Sequence, residues 1–406
     1  MAYVYLQYGD SFFRDRRFAD ARPQYQEALK LDPELLPQLQ TKLIASSLSI
    51  INDELEQAQS ALPAKRGLEL AKQLQELLVL DPELPHTHLL MGVVFEHLRR
   101  PGLAVSEYQR VLGRRVPGRS PAERVKSARR QAQELISTTP LEVSAAGKGE
   151  DWAYCEPGDW QEARSEHFRL LHHNPRVSAR ILAAAEYHLE REAPFFGLSP
   201  DSPWPVTCDI LLYRDAETYH QSTGRPTWSP AVSTFTIHAG SLSDLAIHTH
   251  QEAKLIGQTV IPHELGHLLL AAVTGYATDV PLWLQEGVAV SQEPDFKVAH
   301  LLREVAARRD AGTSMSFEQV VDATEYPPAE DVDHFYGLSH ALVQYLFRQA
   351  DFETFRRFAL DARRDLARAL TTHYGMTLDE LRAGCESFLE DRLASIGARP
   401  SAAAAE

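Results

Sequence analysis

The sequence predicts an α+β protein in two parts: paired helices up to about residue 138, then a domain that combines helices with short strands. Two observations divide the chain in this way. Its first part repeats itself at a fixed offset. Its second part carries a histidine–glutamate motif on an apolar helix, and the mixed architecture expected there follows from the resemblance described below.

The repeat appears when the chain is aligned with itself at an offset of 83. Leu6 then meets Leu89, Gly9 meets Gly92, Phe12 meets Phe95, and Arg16–Arg17 meet Arg99–Arg100. Ala21 meets Ala104, Tyr25 meets Tyr108 and Leu29 meets Leu112. Small residues at Gly9 and Ala21 let two helices approach, and large ones at Phe12 and Tyr25 fill the space between them. Leu-Asp-Pro at 31–33 and again at 80–82 should end a helix each time, because proline cannot continue one. The two are 49 apart, so three helix pairs are expected, the second enlarged. Such a domain either binds a partner on its concave face or serves as a helical brace.

The segment STTPLEVSAAGKGED (137–151) reads as a linker, rich in small and turn-forming residues. Its core, 139–150, separates a first domain (1–138) from a second (151–398), and 399–406 reads as a flexible tail.

The second domain contains His-Glu-Leu-Gly-His at 263–267 and a glutamate, Glu286, in PLWLQEGVAV (281–290). Residues four apart lie on one face of a helix, so His263 and His267 can grip one ion together. Two imidazoles and one carboxylate, with a fourth position left open, form the ligand set of a catalytic zinc rather than a structural one. Glu264 lies beside such an ion, not on it, where it can take a proton from a water that the metal has made acidic. The helix has a strong apolar face in Leu265, Leu268, Leu269 and Leu270. Pro262 fits a first helical turn if Thr259 is the N-cap.

In order along 162–393, the chain resembles the gluzincin metallopeptidases, in particular the peptidase MA-like group. SEHFRLL (165–171) is similar to that domain's first strand, 178–193 to its long helix and CDILLY (208–213) to a further strand. STFTIHAG (233–240) falls where an edge strand lies above the metal. HELGH, WLQEG, YGLSHALVQYL (336–346) and a terminal segment (374–388) follow. The resemblance implies a mixed α/β lobe and a helical lobe, a zinc cleft between them, and hydrolysis of peptide bonds with one Zn²⁺ per chain. It implies that His263, His267 and Glu286 hold the metal and that Glu264 is general base and then general acid. It also implies that Tyr336 donates a hydrogen bond to the oxyanion. The aminopeptidase motif Gly-x-Met-Glu-Asn is absent from 230–262, which argues against that subgroup. The acidic residue usual soon after Glu-Gly-x-Ala is also missing: Val290 follows Ala289, and Glu293 stands three further on, so no carboxylate partner is assigned to a zinc histidine. The first domain resembles tetratricopeptide repeats, whose unit is about 34 residues.

Other histidines are weaker candidates. His340, four residues after Tyr336, shares its helix face, and His334 flanks it. His248 and His250 would share a face of a strand, whereas His172 and His173 would point oppositely.

The net charge of −15 is uneven: residues 1–139 hold 19 basic and 17 acidic side chains, and the rest 22 and 39. An acidic catalytic part repels phosphates, which excludes nucleic acid as the expected substrate. Arg99 to Arg130 holds ten basic residues and two acidic ones, either a solvated face or a surface for an acidic partner. No run approaches the ~20 apolar residues of a membrane span. Three scattered cysteines and the lack of a signal pattern point to the cytoplasm, with export expected only if the true start lies upstream. Three classes follow: an active zinc peptidase acting on a peptide or protein, a zinc-holding scaffold without turnover, and a zinc hydrolase of another amide or ester.

Overall fold

The computed structural model describes residues 1–58, 62–113, 120–138, 141, 150–226 and 228–397. The expected linker, apart from Leu141 and Glu150, lies outside the described residues, as does the whole of the expected tail. The chain forms two compact units, Met1–Lys148 and Gly149–Glu406. Among the described residues it is mostly helical, with a single mixed sheet, as an α+β chain should be.

The first unit contains α1 (Ala2–Arg14), α2 (Phe18–Leu31), α3 (Leu36–Ala58), α4 (Ala64–Leu80), α5 (Pro85–His97), α6 (Pro101–Leu112) and α7 (Pro121–Thr138). Both Leu-Asp-Pro sequences end a helix, and α3 is the enlarged element of the middle pair. The repeat is visible in atomic detail. A Cβ on Gly9 would lie 2.5 Å from Tyr25 Cε1, and one on Gly92 would lie 2.7 Å from Tyr108 Cδ1 and closer still to Cε1. Each tyrosine donates its hydroxyl to a carboxylate, Tyr25 to Asp10 and Tyr108 to Glu96. The turns repeat as well, since Arg16 and Arg99 both take positive φ, 57° and 56°. Phe12 and Phe95 are only partly buried, and Arg17 covers the Phe12 ring at 4.6 Å. The tyrosines, not these phenylalanines, therefore fill the space between paired helices.

Gly92→Ala should destabilise the first unit by about 1–3 kcal/mol, because the Tyr108 ring is fully buried and has nowhere to move. A cavity-free control exists in Gly102, where a Cβ would meet nothing within 4 Å. Thermal melts of Gly92→Ala and Gly102→Ala should separate, with only the first losing stability.

The second unit begins with a short helix, α8 (Glu150–Ala153), so Glu150 belongs to this unit rather than to a linker. Then come β1 (Gln161–Arg164), β2 (Phe168–His172), α9 (Ser178–Glu192), β3 (Cys208–Tyr213), α10 (Ala216–Thr223), β4 (Ala231–His238) and β5 (Ser241–His250). The sheet order is β1-β2-β3-β5-β4. The central pairs β2–β3 and β3–β5 are parallel, and both edges are antiparallel. β3 has a buried, apolar inward face, with Cys208, Ile210 and Leu212 inaccessible, as a central parallel strand requires. β4 is the edge and is exposed along its outer half.

The helical remainder comprises α11 (Ile261–Val273), α12 (Leu282–Val290), α13 (Asp295–Asp310), α14 (Phe317–Val321), α15 (Val332–Gln349), α16 (Phe352–Ala362), α17 (Leu366–Tyr374) and α18 (Leu378–Gly397). Leu265, Leu269, Trp283, Leu284, Val288, Phe335 and Val343 form the centre of one core that runs through α11, α12 and α15. Among the described residues, no helix is long and apolar enough to cross a membrane.

Candidate metal centre

The helix α11 starts differently from the expectation. A π-helical turn, Ile256–Val260, leads into it from Leu255, which has φ 55°. Thr259 is inside that turn and donates its hydroxyl back to the Leu255 carbonyl at 3.2 Å. It is therefore not an N-cap. Pro262 is tolerated because it stands at the entry to the α-helical segment, where the change of helical register relieves its missing N–H.

The next element, α12, is buried over most of its length, with Trp283, Leu284, Val288, Ala289 and Val290 all inaccessible. Glycines in both motifs let it approach its neighbours. A Cβ on Gly266 would lie 2.9 Å from the Ala289 backbone. On Gly287 it would lie 2.5 Å from Val343 Cγ2 and closer to the Ser339 carbonyl oxygen. Held between α11 and α15, α12 delivers Glu286 into the interior at 1% exposure. An isolated carboxylate there would be strongly disfavoured, so it must be paired or bind a cation.

Glu286 Oε2 faces the two histidines. It lies 3.4 Å from His263 Nε2 and 3.6 Å from His267 Nε2, and the two nitrogens are 3.2 Å apart. Among the described residues, this is the one group of three potential ligands that converges on a common point. Oε2 is buried and has no hydrogen-bond partner. Ligand atoms around a tetrahedral ion are separated by about 1.6 bond lengths, so this triangle corresponds to about 2.1 Å from each atom to a shared centre, within the roughly 2.0–2.2 Å of zinc–nitrogen and zinc–oxygen bonds. Donor type, separation and the orphaned oxygen all fit such an ion.

Burial alone would raise the Glu286 pKa, but the facing His267 and His263 outweigh it and hold the carboxyl well below the usual range. Burial would likewise lower His263. The carboxylates of Glu286 and Glu293 beside it overcome this and push it well above the ordinary imidazole value. The pocket thus stabilises positive charge.

Two partners of these ligands were not assigned from sequence. Glu293 Oε1 lies 2.8 Å from His263 Nδ1 and accepts a hydrogen bond from it, so Nε2 is the nitrogen that faces Glu286. Glu293 follows α12 directly, and the turn is fixed by Arg191, which donates to the Gln292 carbonyl at 2.8 Å. The spacing of seven from Glu286 is two helical turns, the only signal that placed it nearby. The second partner is Tyr326, which donates its hydroxyl to Glu286 Oε1 at 2.6 Å. Its ring meets Trp228 edge-on at 5.4 Å. Tyr326 lies in the non-helical stretch between α14 and α15, where no periodicity marks it.

The remaining candidates separate clearly. Glu264 is buried at 6% exposure, and its charge adds to burial in raising the pKa values of Tyr219, Tyr326 and Tyr336. Tyr336 projects from α15 with its ring 5.7 Å from that of His263. Burial first, then Glu286, Tyr326 and Glu264, raise its pKa well above that of a free phenol, so it remains a donor. His340 faces away: Nδ1 meets Ser291 Oγ at 3.2 Å, and burial lowers its pKa to about 3. His334 Nε2 accepts from the Met315 backbone at 3.1 Å and fixes that loop. His248 bonds Tyr213 and Thr234, and His250 packs on Tyr219. None of these four belongs to the converging triad. His172 and His173 are both buried, the first accepting from the Asn174 backbone and the second packing on Trp160.

No family model matches the chain, and no curated protein does.

Proposed function

We propose that the second unit is a zinc-dependent peptidase of gluzincin type and that the first is a tetratricopeptide-like solenoid that presents a partner or substrate. The observation that carries the reading is the triangle of His263 Nε2, His267 Nε2 and Glu286 Oε2, with buried Glu264 next in sequence to the first ligand. His263, His267 and Glu286 would hold one Zn²⁺. Bound zinc supplies Lewis acidity, which polarises a carbonyl and acidifies water near neutral pH.

The protein's own groups do the rest. Glu264 accepts a proton from the attacking water and passes it to the leaving amine. Tyr336 donates a hydrogen bond to the oxyanion, a contribution typically of about 3–4 kcal/mol for one such donor. Glu293 fixes the tautomer of His263. Tyr326 occupies Glu286 Oε1, so that Oε2 is the oxygen left for the metal.

Glu293→Gln and Tyr326→Phe should each weaken zinc binding by about 10–100-fold without unfolding the protein. Competition with a chromophoric chelator measures this directly, and unchanged affinity in both variants would remove these residues from the site. For the activity itself, a mixture of unstructured peptides is incubated with zinc-loaded protein, and new termini are read by mass spectrometry. Cleavage that a chelator abolishes supports a peptidase. Turnover of simple esters alone would favour the other hydrolase class, and no turnover of either would favour a scaffold.

A further inference from the structure

The first unit contains a groove of about 750 Å³ between the α5–α6 turn and α7. Four cations line it: Arg99, Lys126, Arg129 and Arg130. One acid, Glu96, faces them, and it is already engaged by the Tyr108 hydroxyl and by Arg129 at 3.6 Å. Arg99, Lys126 and Arg130 are exposed and have no ion-pair partner among the described residues. Lys126, Arg129 and Arg130 stand at i, i+3 and i+4 on α7. Like charges so spaced repel and destabilise an isolated helix. Among the described residues only Arg129 has an ion-pair partner, Glu96, so a ligand that neutralises Lys126 and Arg130 is the natural occupant. The floor is apolar, with Pro101 and Val125.

We propose that this groove docks an acidic peptide segment of a partner protein. Carboxylates would pair with Arg99, Lys126 and Arg130, and an apolar side chain would rest on the floor. A short peptide fits better than a nucleic acid. The chain carries a net charge of −15, which repels a long polyanion, whereas a short segment feels chiefly the local cations within a Debye length of about 8 Å. This proposal does not depend on the metal centre.

The test uses the full chain and a fluorescent peptide of Glu-Glu-Leu repeats, followed by anisotropy at low salt. Saturable binding is expected, at least about tenfold weaker for Lys126→Gln/Arg130→Gln and for a matched Gln-Gln-Leu peptide, and weakened by added salt. Equal melting curves for wild type and variant establish that the loss is local. Absence of saturable binding would overturn the proposal, whether the groove is filled by this chain's own acidic segments, by a second copy or by nothing. So would binding that the substitutions leave unchanged, or tighter binding of a single-stranded oligonucleotide at the same salt.

Discussion

Glu264→Gln should retain zinc at wild-type affinity and lose peptide hydrolysis by about 10²–10⁴-fold, the usual contribution of a positioned general base. The amide matches the carboxylate in shape but cannot accept the proton. Glu264 is buried and next to the ligand triangle without belonging to it, so the substitution separates chemistry from metal binding. Turnover at the wild-type rate would remove Glu264 from the mechanism. Loss of zinc together with activity would instead make it part of the metal's binding shell.

The second large effect is expected at Gly287. Its added methyl would enter the Ser339 carbonyl and Val343, both within α15. Backbone atoms cannot rotate away as a flexible side chain can, so Gly287→Ala belongs at or beyond the upper end of overpacking, about 3 kcal/mol. For a domain of this size that corresponds to a melting shift of roughly 6–12 °C. Because Glu286 is the adjacent residue, pushing α12 from α15 should also enlarge the ligand triangle and weaken zinc binding. A melting temperature within a degree or two of wild type would show that α12 and α15 are less tightly opposed than described.

Part of this arrangement was legible in the sequence. The two histidines of the converging triad were legible because helical spacing dictates geometry over four residues. His263 and His267 must share a face whatever surrounds them. The paired helices of the first unit were readable for a similar reason, since Gly9 with Tyr25 and Gly92 with Tyr108 repeat one packing solution. A helix at 178–192 and a strand at 208–213 also stand where the resemblance places them.

What escaped were features that only tertiary packing determines. Glu293 bonds His263 through a turn fixed by Arg191, which is more than a hundred residues away. Tyr326 reaches Glu286 from an irregular segment with no period to betray it. The start of α11 differs from the expected N-cap at Thr259 because a π-helical turn has no sequence signature of its own. Phe12 has the size of a residue that fills between helices, yet it is only partly buried and lies beneath Arg17.

The central claim is that this chain holds one catalytic zinc, and its most direct test is zinc content per chain. After zinc-buffered dialysis, wild-type protein should contain about one equivalent, as a three-ligand site requires. His267→Ala and Glu286→Ala should lose it or bind it far more weakly while keeping the fold of the first unit. Wild-type protein that binds no zinc under those conditions, or variants that bind as well as wild type, would contradict the account.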